Sequence, residues 1–133
     1  MEIKQAIKYL SRARKLEWEI RDKIIYIESL YTCCGLQGIA YDKISVVSTP
    51  ENKFERIMAE IDEEKRKVER LRTLKKKAID EITETIDKLE PSPEKTVLMG
   101  FYVGCKDMNK IAGEIGYELS YCYRLKKKGI KKL

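Results

Sequence analysis

Apolar residues in the first part of the chain recur at alternating steps of three and four, the spacing that places them on one face of an α-helix. This stripe predicts a front helix, which Glu17 interrupts midway. Its members are Ile3, Ala6, Leu10, Ala13, Ile20, Ile24, Ile27 and Tyr31. Two glycines and a β-branched run between Thr32 and Pro50 then predict a loop with a short extended piece.

A second stripe predicts a longer helix from Asn52 to Leu89, a stretch without proline or glycine. Its heptad positions hold Ile57, Ile61, Val68, Leu71, Ala78, Ile82 and Leu89, with Glu64, Lys75 and Thr85 as polar interruptions. Two long amphipathic helices joined by a loop most simply pack as an antiparallel hairpin with a coiled-coil-like face. A further stripe remains for self-association, so we expect a homo-oligomer, most simply a dimer.

Prolines at positions 91 and 93 divide the chain into a helical hairpin, residues 1–90, and a C-terminal module, residues 91–133. Pro93 suits the first position of a new helix, which Gly104 ends. The apolar face of this helix holds Val97, Leu98, Phe101 and Tyr102. The predicted fold class is therefore all-α, with the hairpin followed by a three-helix module.

The last two helices of the module are short and are separated by a glycine. Asp107 is placed to cap the first of them, and Gly116 allows the left-handed turn that ends it. We expect Tyr117 to fold back onto the core and Glu118 to open the last helix, with Cys122 and Leu125 facing inward. Short helix, glycine turn and second helix form a helix-turn-helix.

Composition excludes several kinds of chemistry. The chain has no histidine, which rules out a Ser/His/Asp or Cys/His nucleophile pair and a Cys₂His₂ finger. No glycine-rich phosphate loop is present, so we expect neither an enzyme nor a cofactor. The four cysteines lack paired CxxC spacing and suit packing, with half of a metal site or a redox pair at Cys33 and Cys34 as the alternative. Neither a signal peptide nor a membrane span is apparent, which favours a cytoplasmic protein.

The stretch from Asp107 to Leu133 resembles the helix-turn-helix of region 4 of bacterial sigma factors. The matching positions are the Ile111-Ala112 pair, Gly116, Cys122, Leu125, Ile130 and Leu133, preceded by the lead-in V-L-M-G-F-Y. Together with the long helical front and the V-V-S before the second charged helix, the chain is similar to phage late-gene transcriptional regulators of the ArpU type. It departs from that pattern at Glu118, where Ser or Thr is usual, and at Gly129, which should loosen the last turn by about 1 kcal/mol relative to alanine.

This resemblance implies a sequence-specific transcription regulator from a phage or prophage, which acts in the bacterial cytoplasm with its last helix in the major groove of double-stranded DNA. The formal charge of +6 at pH 7, from 28 basic and 22 acidic residues, is concentrated in this tail. The base-reading candidates are Ser120, Tyr121, Tyr123 and Arg124, with Arg124 first because it can pair with a guanine through two hydrogen bonds. The phosphate-contacting candidates are Lys126, Lys127, Lys128, Lys131 and Lys132.

Other interpretations of the same features remain open. A small-terminase-like packaging protein also joins a helix-turn-helix to oligomerising helices, and a ring-sized oligomer would favour it. A module that docks on RNA polymerase, as region 4 of sigma factors also does, would show no salt-dependent DNA binding. The lysines could form a basic terminus without a specific ligand, and Tyr121 and Tyr123 could instead pack against the front helices or a partner.

Overall fold

The computed structural model of the chain describes residues 2–33 and 50–133. Within these ranges it is helical and contains no β-strand, which confirms the predicted all-α fold with an N-terminal hairpin and a C-terminal helical module. The helices are α1 (Ile3–Leu10), α2 (Arg12–Cys33), α3 (Pro50–Ile86), α4 (Pro93–Leu98), α5 (Met108–Ile115) and α6 (Leu119–Lys132), and α4 continues into a π-helical turn (Met99–Val103).

The described chain forms two compact units. The hairpin unit comprises Trp18–Thr73, and the terminal unit comprises Met1–Glu17 together with Leu74–Leu133. Both α2 and α3 continue from one unit into the other. The division does not coincide with the predicted boundary between residues 90 and 91, because α1 and the end of α3 share a core with the C-terminal module.

The core of the hairpin unit forms along the predicted stripes, with Leu30 as an additional buried residue that the stripes did not include. Its buried apolar side chains are Ile20, Ile27, Leu30, Ile61 and Val68. Lys23 of α2 lies 3.4 Å from Glu64 of α3, and Tyr26, further along α2, donates a hydrogen bond to Glu60, which comes earlier in α3. The residue numbers of these contacts rise along α2 and fall along α3, so the two helices are antiparallel, as predicted.

The core of the terminal unit joins five helices. It contains Ala6, Leu10, Ala13, Ala78, Ile82, Ile86, Leu98, Tyr102 and Ile130. The front helix is almost continuous, since the backbone bonds of Ser11 bridge α1 and α2. Ile3 differs from the prediction, because it lies at the free end of α1 and is 42% exposed.

The observed helix ends differ slightly from the predicted ones. Thr32 and Cys33 belong to α2, and α3 begins at Pro50 rather than Asn52. It ends at Ile86 rather than Leu89, because Pro91 disfavours helical geometry in the residue before it and the last turn tightens ahead of this point. The extended piece predicted near residues 44–47 lies outside the described residues.

Candidate nucleic-acid interface

Local turn chemistry positions α5 and α6. Asp107 caps α5 by accepting a hydrogen bond of 3.1 Å from the backbone N–H of Asn109. Gly116 follows α5 in the left-handed conformation, with φ 78° and ψ 24°, which glycine adopts without the steric cost of a side chain. Both residues therefore lie where the sequence predicted them, and the chain reverses direction between two short helices.

Tyr117 does not fold back onto the core as expected. Its side chain is 42% exposed and meets Tyr121 edge to face, with ring centroids 5.2 Å apart. The pair forms because the turn after Gly116 directs Tyr117 along the outside of α6, four residues before Tyr121. Glu118 occupies the N-cap position of α6, where its side chain makes no capping hydrogen bond.

The inner face of α6 packs on α4 and α5. Cys122 and Leu125 are buried, as predicted, in a cluster with Val97, Met108, Ile111 and Ala112. Gly129 is buried as well, and a Cβ atom built there would lie 2.7 Å from Cδ1 of Leu98. The sequence-based interpretation of Gly129 as a loosened last turn is therefore incomplete, because this glycine lets α6 approach α4 closely.

The outer face of α6 presents a line of polar and cationic side chains. With 3.6 residues per turn, steps of four, three and four place Ser120, Arg124, Lys127 and Lys131 opposite the buried face, and all four are exposed. Tyr123 flanks this line on one side, while Tyr121 and Lys128 flank it on the other. A shallow depression of about 270 Å³ is lined by Tyr121, Arg124, Leu125, Lys127, Lys128 and Lys131.

Charge is distributed very unevenly between α6 and the rest of the chain. The helix holds six lysines and arginines and no acidic residue, which equals the formal charge of +6 of the whole chain. The other residues therefore balance to zero. Among the described residues, no carboxylate lies within ion-pair distance of Arg124, Lys127, Lys128 or Lys131. These four cations are available to an anionic ligand.

Lys126 and Lys132 are placed differently from the other lysines of α6. The Nζ atom of Lys126 lies 4.1 Å from the ring centroid of Phe101, and burial together with the nearby charge of Arg14 lowers the pKa of this lysine. Lys132 pairs with Glu94 at 3.2 Å. The phosphate contact predicted for Lys126 stays a prediction, and its ammonium group is already directed at an aromatic ring.

Sequence reasoning missed the contact that connects the front helix to this site. The guanidinium group of Arg14 lies 3.9 Å from the centroid of Phe101 and donates 3.0 Å hydrogen bonds to the carbonyl oxygens of Phe101 and Lys106. Phe101 thus contacts two cations, Arg14 from α2 and Lys126 from α6. The available signal was weak: Arg14 lies four residues after Leu10, at the edge of the apolar stripe.

The alternative role for the cysteines is not supported by any grouping of ligands in the described part of the chain. Cys33 is exposed at the end of α2, Cys122 is buried, and Cys34 lies outside the described residues. Residues 2–33 and 50–133 contain no group of three or more cysteine or carboxylate side chains placed to hold a metal ion. Nor do they contain a helix whose length and apolar character would let it cross a lipid bilayer.

Comparisons of the chain with protein-family models, with curated protein sequences and with solved structures find no match. The geometry and charge of α6 are the features of the described chain that bear on function.

Proposed function

We propose that this protein is a sequence-specific regulator of transcription that binds double-stranded DNA by inserting α6 into the major groove. The observation that carries the proposal is the outer face of α6, which is held in place by the buried face of the helix. Four exposed cations lie there, and none of them has a carboxylate partner within residues 2–33 and 50–133. The major groove of B-DNA, about 12 Å wide, admits an α-helix of this kind. The proposed activity is binding and involves no catalytic step.

The position of each side chain along α6 suggests its role. Ser120 and Arg124 lie in the first half of the helix, the part that reaches base edges in helix-turn-helix proteins, and Tyr121 and Tyr123 flank them. Lys127, Lys128 and Lys131 follow toward the C-terminal end, where lysines contact phosphates and set the orientation of the protein. Lys126 acts indirectly in this proposal, by packing α6 against Phe101.

The resemblance to region 4 of sigma factors supports the same assignment. It adds the proposals that the protein comes from a phage or prophage, acts in the bacterial cytoplasm and contacts RNA polymerase. The feature of the fold that fits this proposal is the order of a short helix, α5, a left-handed turn at Gly116 and a second helix, α6. Regulation of late phage genes, as in the ArpU type, is the process this resemblance favours.

The experiment that tests the proposal is selection of bound duplexes from a randomised DNA pool, followed by affinity measurements against salt. We expect a defined motif, and we expect Arg124→Ala to weaken binding to it by about 1–3 kcal/mol while changing binding to unrelated duplexes much less. Arg56→Ala, which removes the same charge from an exposed position in the hairpin unit, is the matched control.

Three outcomes would contradict the proposal. Weak, sequence-independent and steeply salt-dependent binding would mean that α6 contacts the phosphates of DNA and does not recognise base edges. Absence of any salt-dependent binding would favour a module that docks on a protein. A ring-sized oligomer that binds DNA would instead favour the packaging alternative.

A further inference from the structure

Two large apolar side chains of the hairpin unit project away from its core. Trp18 is 62% exposed and Ile25 is 64% exposed, and no other large apolar side chain among the described residues is more exposed. They are seven residues apart on α2, so they lie two turns from each other on the same face of the helix. That face is opposite Ile20 and Ile27, which point into the core. We call Trp18 and Ile25 the ridge.

A groove lies beside the ridge, between α2 and α3 of the same unit. Its volume is about 490 Å³, and its apolar lining comes from Ile24, Ile27 and Val68. The rim consists of two acidic and two basic side chains, Glu28, Lys65, Glu69 and Arg72. Ile24 in the groove is adjacent in sequence to Ile25 of the ridge. The same helix, α2, therefore contributes both to an apolar ridge and to an apolar groove.

We propose that a second copy of this chain packs on the hairpin unit, with the ridge of each copy seated in the groove of the other. A twofold interface requires a surface that is complementary to itself, because residue i of one copy meets residue j of its partner and j meets i. The ridge and the groove lie side by side on each copy, so the ridge of one copy can pack in the groove of the other while its own groove receives the partner's ridge. Burial of an aromatic side chain such as Trp18 removes on the order of 150–250 Å² of surface from water.

The charges around the groove favour a second copy over other partners. Two carboxylates and two cations balance on the rim, so two copies meet there without net repulsion. The hairpin unit as a whole holds 10 basic and 11 acidic residues, which gives no strong field for DNA or for an acidic protein. Two helices from each copy would form a four-helix arrangement around the ridges.

Trp18 provides a direct measurement of this interface because it is the only tryptophan in the chain. Selectively excited fluorescence and its quenching by iodide therefore report on the ridge alone. The measurement uses the 133-residue chain without DNA, alongside sedimentation equilibrium, so its result is independent of the proposed function. We expect a dimer with shielded Trp18 at micromolar concentration and a monomer with quencher-accessible Trp18 after dilution.

The matched variants are Ile25→Lys and Ile7→Lys, the second of which places the same lysine at a 40% exposed isoleucine of α1. We expect Ile25→Lys to weaken the dimer at least about tenfold, because it would replace an apolar contact with an ammonium group that must lose its hydration. Ile7→Lys should leave the dimer unchanged, and both variants should keep the helical circular-dichroism spectrum. A monomer at every concentration would overturn the proposal, as would an oligomer that Ile25→Lys does not weaken.

Discussion

Gly129 shows how a single residue sets the distance between two helices. Alanine in its place would gain about 1 kcal/mol of helix propensity. Its Cβ would, however, lie 2.7 Å from Cδ1 and 3.1 Å from Cγ of Leu98, and 3.3 Å from Cβ of Glu94. Overpacking of this kind costs about 1–3 kcal/mol, so we expect Gly129→Ala to lower the free energy of unfolding in urea by about 1 kcal/mol.

Gly113 supplies the control for that measurement. It lies in α5, is exposed, and an added Cβ would meet nothing within 4 Å. Gly113→Ala should therefore raise the free energy of unfolding by about 0.5–1 kcal/mol. Stabilisation by both substitutions would show that α4 and α6 are not in close contact at Gly129.

Glu64 is the one charged side chain that is buried among the described residues, and its ionisation should make stability depend on pH. Contact with the ammonium group of Lys67 at 3.1 Å, aided by Lys23 at 3.4 Å, lowers the pKa of Glu64 below its ordinary value of 4.5 despite the opposing effect of burial. Because the pKa in the folded state lies below that in the unfolded chain, the ionised carboxylate stabilises the fold above pH 4.5. This stabilisation is lost as the pH falls through the lowered pKa.

The test is the melting temperature of Glu64→Gln across this pH range. We expect the variant to melt below the wild type at pH 7 and the two melting temperatures to converge as the pH falls through the lowered pKa of Glu64. Glu84→Gln, at an exposed position of the same helix, should have the melting temperature of the wild type at pH 7. A constant gap between Glu64→Gln and the wild type at all pH values would mean that the lysine contacts do not determine the contribution of Glu64.

At the scale of the elements, the features that the sequence predicted are those that depend on residues close together along the chain. The stripes predicted α2 and α3, and Asp107 and Gly116 fixed both ends of α5, because periodicity and turn chemistry act over a few residues. The positions of Arg14 and Lys126 depend on Phe101, from a third element. Contacts between distant segments leave no periodic signal, so nothing in the sequence indicated that Lys126 lies over the ring of Phe101.

Lys126 and Lys127 of α6 should therefore contribute differently to DNA binding, since Lys126 contacts Phe101 and Lys127 is exposed. Lys127 is exposed without a carboxylate partner among the described residues, so Lys127→Ala should reduce the slope of log K against log salt by about 1 on every duplex. Lys126→Met retains an apolar contact with Phe101 and should leave that slope nearly unchanged. Lys77→Ala, at an exposed position of α3, controls for net charge. Equal changes in slope for Lys126→Met and Lys127→Ala would contradict the proposal that Lys127 contacts phosphate and Lys126 does not.

At the scale of the whole molecule, the excess of positive charge and the two most exposed apolar side chains of the described residues lie in different units. The terminal unit holds 18 basic and 11 acidic residues, and its excess comes almost entirely from α6. The hairpin unit is close to neutral and holds the exposed ridge of Trp18 and Ile25. DNA binding by one unit and self-association by the other would therefore use different residues.

If both proposals hold, the DNA site should have twofold symmetry. A dimer presents two copies of α6, so the selected motif should be an inverted repeat of two half-sites. The second half-site then binds as an intramolecular event, which raises affinity for the full site by about 10²–10⁴ over a single half-site. We expect Ile25→Lys to lose this gain while its half-site binding remains sensitive to Arg124→Ala. Equal affinity of the wild type for the full site and the half-site would show that the two units act independently, with one α6 engaged on each DNA.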